Sequence, residues 1–303
     1  MRLGFHLLTF ALLISSAKAE TYCEYYRAHE PDLYTGYCGD GNKVKTAGAN
    51  STFTNEFNIS AASLPTEPSS YGIETLVSGI RGGSGGYNPT FSIIKGFHRF
   101  GTGISTGSNN TFYGDDVVER ISGPPNVTAL KPSETPQGYI TNLNLGTSFD
   151  VLDIGRLASL KLGASLRYNQ ITNTLGGGPA ALLGVGIFSF GAGITNEKIS
   201  NTLERINFTN YFFGVRLWML EFEYTWIENN LLDTLEGIRI YTVTASVRKF
   251  LFTVAMRKLN YLTVGDVTQY HFGVQWLANK HFSVGYLYNY IPGANTLGLQ
   301  IYL

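Results

Sequence analysis

From Tyr71 to Leu303 the chain is a succession of short segments in which every second residue is apolar. A period of two sends alternate side chains to opposite faces of a strand. Leu220, Phe222, Tyr224 and Trp226 stand against Glu221, Glu223 and Thr225. Phe252, Val254 and Met256 stand against Thr253, Ala255 and Arg257, and Tyr270, Phe272, Val274 and Trp276 against Gln269, His271, Gly273 and Gln275. Leu160, Leu162, Ala164, Leu166 and Tyr168 oppose Lys161, Gly163, Ser165 and Arg167 in the same way. No stretch of this region has a helical stripe or the ~18 uninterrupted apolar residues of a membrane helix. The chain must therefore be all-β.

The links between segments alternate in length. Tight turns are expected near Leu217–Met219, Arg248–Phe250 and Ala278–Lys280, and longer polar links at Asn196–Arg205, Asn229–Gly237, Leu262–Asp266 and Pro292–Asn295. One rim of tight turns and one of longer loops is the signature of an antiparallel barrel. Counting back from Leu303 gives about fourteen strands, beginning near Tyr71. Merging segments at Gly186-Ile187 and near Gly96 would give twelve. Gly107–Gly138, with four prolines, reads as an outer loop, and Gly176-Gly177-Gly178 before Pro179 as a turn.

Alternation also fits a water-soluble sandwich, and composition decides between the two. Charged residues make up 15% of the chain, against roughly 25% in ordinary soluble domains. The polar faces are rich in Gly and Ser rather than in Lys and Glu, which suits a crowded lumen better than a solvated exterior. Tyr168, Trp226, Trp276, Tyr288 and Tyr290 fall at the ends of apolar runs, where a wall meets lipid headgroups. The last strand places Leu297, Leu299, Ile301 and Leu303 on one face, and closure requires it to pair with the first, because hydrocarbon tolerates no open edge. The expectation is a transmembrane antiparallel β-barrel over 71–303, with Leu162, Phe190, Phe222, Val254, Phe272 and Val284 facing lipid. The 22 basic and 22 acidic residues cancel, so the chain lacks the basic footprint of a nucleic-acid binder.

Residues 1–19 read as a cleaved signal peptide. Arg2 precedes the apolar run Leu3–Ile14, and Ala17-Lys18-Ala19 forms a small-x-small cleavage site. Export favours a Cys23–Cys38 disulfide, and the spacing matches no zinc pattern. Residues 20–70 lack alternation but carry many aromatics, so the segment is either a plug in the barrel mouth or a small periplasmic knob.

With its signal peptide, alternating strands, tight turns along one rim and apolar final strand, the chain resembles bacterial outer-membrane β-barrel proteins of the porin-like class. The last residue in that class is usually aromatic, and here it is Leu303. An irregular N-terminal segment before about fourteen strands is similar in architecture to the long-chain fatty-acid transporter family, whose N-terminus plugs the barrel. That family's Asn-Pro-Ala motif is absent, so no binding residues are carried over.

The function expected is an outer-membrane channel or passive transporter for small solutes, lined by Lys161, Arg167, Arg216, Glu221, Glu223, Arg257 and His271. The alternative is a filled structural or adhesive barrel acting through its outer loops. Membrane lipid and small solutes are the expected partners, and the oligomeric state is left open. His271 beside Ser283 is the nearest approach to a nucleophile and base, and Glu221 and Glu223 read as ion-pair partners of Arg216 or Arg257. No cofactor, metal or catalytic motif stands out, and the Asn-x-Ser/Thr sequons at Asn50, Asn58, Asn109, Asn126 and Asn207 read as chance in an Asn- and Thr-rich barrel.

Overall fold

The computed structural model describes residues 60–66, 71–80, 87–107, 142–154, 157–169, 174–199, 205–229, 235–261, 265–279, 282–289 and 294–302. Strands β1 (Tyr71–Ile80), β2 (Tyr87–Phe97), β3 (Phe100–Gly107), β4 (Asn142–Asp153) and β5 (Ala158–Asn169) follow one another. They continue as β6 (Thr174–Val185), β7 (Phe188–Ile199), β8 (Arg205–Leu217), β9 (Leu220–Asn229) and β10 (Leu235–Val247). The series ends with β11 (Phe250–Tyr261), β12 (Gly265–Asn279), β13 (Phe282–Asn289) and β14 (Ala294–Tyr302). Each strand pairs antiparallel with its sequence neighbours, and β1 pairs with β14, so the sheet closes into a fourteen-stranded barrel. Closure runs from Gly72 opposite Tyr302 to Ile80 opposite Ala294, which leaves no free edge. The expected architecture is the one observed, and fourteen strands, not twelve, is the count.

The outer face is predominantly apolar. Leu162, Phe190, Phe222, Val254 and Phe272 are exposed there, with Leu145, Phe149, Phe213, Phe252 and Leu297 among many others. A soluble protein rarely shows a contiguous apolar patch above a few hundred Å²; a wall with exposed apolar side chains from β2 to β14 needs hydrocarbon around it. Aromatics border this band. Toward the longer links, Trp226 packs on Tyr211 at 6.1 Å, and at mid-strand Tyr224 packs on Tyr241 at 5.1 Å, centroid to centroid. Toward the tight turns, Phe97 meets Phe100 and Phe250 meets Phe252. A bilayer-spanning barrel carries such girdles at both interfaces.

The tight-turn rim is tied together from hairpin to hairpin. Asp150 donates its backbone N–H to Arg99, Gly186 to Leu157, Arg216 to Ile187 and Ser246 to Met219. Three turns place their first central residue at positive φ: Gly186 at 57°, Trp218 at 54° and Arg248 at 50°. A type II′ hairpin asks for that conformation, which only glycine adopts without cost.

Gly176-Gly177-Gly178 lies within β6, which corrects the turn read from sequence. These glycines serve close approach between strands. A Cβ on Gly177 would stand 2.1 Å from the Ser165 oxygen, and one on Gly178 only 1.8 Å from the Ile194 oxygen. The ladder to β7 is interrupted at Gly178 and Pro179 and resumes in the same register at Ala180 opposite Gly193; proline has no N–H to donate. The links read from sequence are also too long in places, since β7 continues to Ile199 and β10 begins at Leu235, where the ladder to β11 shifts register. The proposed signal peptide, Cys23, Cys38 and most of the 107–138 insertion lie outside the described residues.

Candidate functional site

The inner face is the polar half of the alternation. Ser92, Ser105, Ser148, Ser189, Thr225, Thr253, Gln275, Ser283 and Gln300 are all buried. A few apolar side chains join them, among them Ile94, Leu182, Phe212, Leu251 and Leu287. All seven residues expected at the lumen stand on this face. Lys161 and Arg257 are each 1% exposed and His271 and Glu223 are buried, while Arg167, Arg216 and Glu221 are half-buried.

The alternation separates these groups more than it gathers them. Arg216 on β8 and Glu221 on β9 are register partners across the tight turn, and the Arg216 Nε donates to Glu221 Oε1 at 2.5 Å in an ion pair. Glu223 instead accepts from the Thr225 hydroxyl at 3.0 Å. His271 lies opposite Ala255 and Asn289, whereas Ser283 lies opposite Leu277 and Gln300. The Ser283 hydroxyl donates to Gln300 Oε1 at 2.8 Å and accepts from Gln275 Nε2 at 3.0 Å, and Gln275 Nε2 also reaches Gln300 at 2.5 Å. Ser283 is thus engaged in an amide–hydroxyl cluster, and His271 is not its base. Among the described residues no group of three or more His, Cys, Asp or Glu could hold a metal ion.

A short segment from before the barrel sits against the opposite wall. Ser60–Thr66, with a 3-10 turn at Ala61–Ser63, is buried throughout. It packs on the inner face of β4, β5 and β6, in the half of the lumen nearer the tight turns. Glycines make the room. A Cβ on Gly163 would stand 2.3 Å from the Ala62 nitrogen, and one on Gly101 2.2 Å from the Pro65 oxygen.

Polar contacts fasten the segment to the wall. The Leu64 carbonyl accepts from Ser148 Oγ at 3.0 Å and from Lys161 Nζ at 3.5 Å. Thr66 Oγ1 donates to Asp150 Oδ2, and Asp150 lies 3.9 Å from Lys161. Lys161 therefore bridges a wall carboxylate and the carbonyl of the inserted segment. Sequence reasoning placed Lys161 at the lumen but missed Asp150, because its strand continues into an apolar run (Val151-Leu152) that obscures which face it takes.

The inner wall thus carries charges of both signs, and a segment from before the barrel is bound against it. No protein-family model matches the chain, and no curated protein matches it. Among solved structures the chain is similar to porins. A mutant of Rh. blastica porin aligns over 76% of this chain and 98% of its own, at 10% identity and a TM-score of 0.43. A second Rh. blastica porin mutant aligns over the same shares at 9% identity and 0.43. A porin refined at 1.8 Å aligns likewise at 13% identity and 0.39. The closed antiparallel sheet, its apolar exterior and its polar interior are those of a fourteen-stranded membrane-spanning β-barrel.

Proposed function

We propose that the protein is a passive channel for small polar solutes, exported to the outer membrane through the signal at residues 1–19 and narrowed at its tight-turn mouth by Ser60–Thr66. The observation that carries this reading is the polar inner face of a wall that is apolar outside. Removing Lys161, Arg257 and Glu223 from bulk water is costly unless each is compensated. Asp150 and the Leu64 carbonyl compensate Lys161, and the Thr225 hydroxyl donates to Glu223, so charge is kept on the inner face. Lys161, Arg167, Arg216, Glu221, Glu223, Arg257 and His271 would set a weak, mixed-charge selectivity. The separation of His271 from Ser283 favours transport over hydrolysis.

One observation favours the second reading, a filled barrel acting through its outer loops. Inner-face groups on several strands are almost wholly covered: Lys161, Arg257, Ser283 and Gln300 are at most 3% exposed. Swelling of liposomes carrying the purified full-length protein separates the two. A channel admits arabinose faster than sucrose and sucrose faster than raffinose. A filled barrel admits none of them.

A further inference from the structure

Outside the lumen, one part of the lipid-facing wall breaks the apolar rule in a consistent way. Arg239 on β10 and Lys258 on β11 are direct register partners on the outer face, at the edge of the aromatic girdle nearer the longer links. Two like charges directly opposite each other on a sheet destabilise it, and at a membrane boundary each charge also needs compensation. Neither residue has a carboxylate within ion-pair distance among the described residues. Glu228, the acid diagonal to Arg239 on β9, is opposite Gly237 and Thr209. Among the described residues it forms no ion pair with either cation. The Arg239 Nε–H is covered and has no acceptor.

The aromatic neighbours hold the guanidinium in place. Arg239 lies 5.7 Å from the centroid of the Trp226 ring, its register partner on β9. Trp226 is itself packed on Tyr211.

We propose that Arg239 and Lys258, with Trp226 beside them, bind a phosphorylated lipid of the leaflet on the long-link side, the outer leaflet if the tight turns face the periplasm. A phosphate seated between the two cations accepts charge-assisted hydrogen bonds from both and turns their repulsion into attraction. Its acyl chains then lie along the apolar wall below, over Tyr241, Val243 and Val254. Lipid is the occupant because the site stands on the outer wall beside the exposed Tyr241, Val243 and Val254, where a soluble anion would have only half of its surroundings.

Native mass spectrometry of the full-length protein, released from detergent after incubation with a diphosphorylated lipid A, its dephosphorylated form or dioleoylphosphatidylcholine, tests this. The diphosphorylated lipid should stay bound at collision energies that strip the other two, and millimolar inorganic phosphate should not displace it. Lys258→Glu removes the repulsion internally. It should raise the thermal midpoint in a neutral detergent while weakening retention of the phosphorylated lipid by about tenfold. Equal retention of all three lipids, displacement by inorganic phosphate, or undiminished retention by Lys258→Glu would overturn the proposal. If Lys258→Glu fails to assemble, the comparison of the three lipids on the unaltered protein decides alone.

Discussion

Gly163 of β5 faces the backbone of Ala62 so closely that a Cβ on the glycine would stand 2.3 Å from the Ala62 nitrogen and 2.7 Å from its Cα. The atoms in the way are main chain, which cannot rotate aside. The wall of the barrel is therefore cut to the shape of the segment it holds, and a larger residue at this position must displace that segment. Gly163→Val should leave the barrel closed, since the side chain enters the lumen and not the ladder, but should widen the tight-turn mouth. The expected outcome is unchanged heat-modifiable migration with faster entry of raffinose into proteoliposomes. Unchanged permeation would mean that the segment does not limit passage.

Lys161 is almost fully buried, and its neighbours Asp150 and the Leu64 carbonyl provide its compensation. Removing one partner of a buried pair leaves an uncompensated charge and costs about 3 kcal/mol. Asp150→Asn should lower the urea midpoint of refolded protein accordingly. Adding Lys161→Met to it should restore most of the loss, because the stranded cation is then gone. A double variant no better than the single would place the cost elsewhere.

The two faces of β9 should respond oppositely to substitution. Phe222 is exposed on the outer wall and Glu223 is buried on the inner one. Phe222→Arg should cost about 2–4 kcal/mol if it lies near the bilayer midplane. Glu223→Gln keeps the shape and the acceptor for Thr225, and should leave assembly intact. Folding yield into liposomes measures both, and equal tolerance would contradict the face assignment.

Arg248 holds a positive φ of 50° at the first position of its tight turn. For an L-residue that conformation costs roughly 1–2 kcal/mol, and glycine is spared it. Arg248→Gly should raise stability by about 1 kcal/mol, offset in part by glycine's greater freedom when unfolded. Chemical denaturation in detergent checks the sign.

Much of this was legible from sequence because a two-residue period is a direct image of a sheet with two different surroundings. Leu220 to Trp226 and the acids between them fixed their faces before any coordinates, and so did Lys161, Arg257 and His271. The misreadings have particular physical causes. Gly176-Gly177-Gly178 looks like a turn because glycine lacks any face signature, while its use in β6 comes from contacts with Ser165 and Ile194 on neighbouring strands. The seat of Ser60–Thr66 could be framed only as one of two alternatives, since its partners Ser148, Asp150 and Lys161 lie 84 to 97 residues away. No local pattern encodes a contact of that span. The lipid-facing Arg239–Lys258 pair was invisible for the same reason: it exists only once the register of β10 and β11 is known.

The central claim is that a barrel open to solutes is narrowed by its own N-terminal segment, and single-channel conductance in a planar bilayer tests it most directly. Full-length protein should give small discrete steps. Protein lacking residues 20–66 but keeping the signal and the strands from Tyr71 should give steps several-fold larger, with the barrel still heat-modifiable. Steps of the same size from both proteins, or silence from both at high protein, would contradict it.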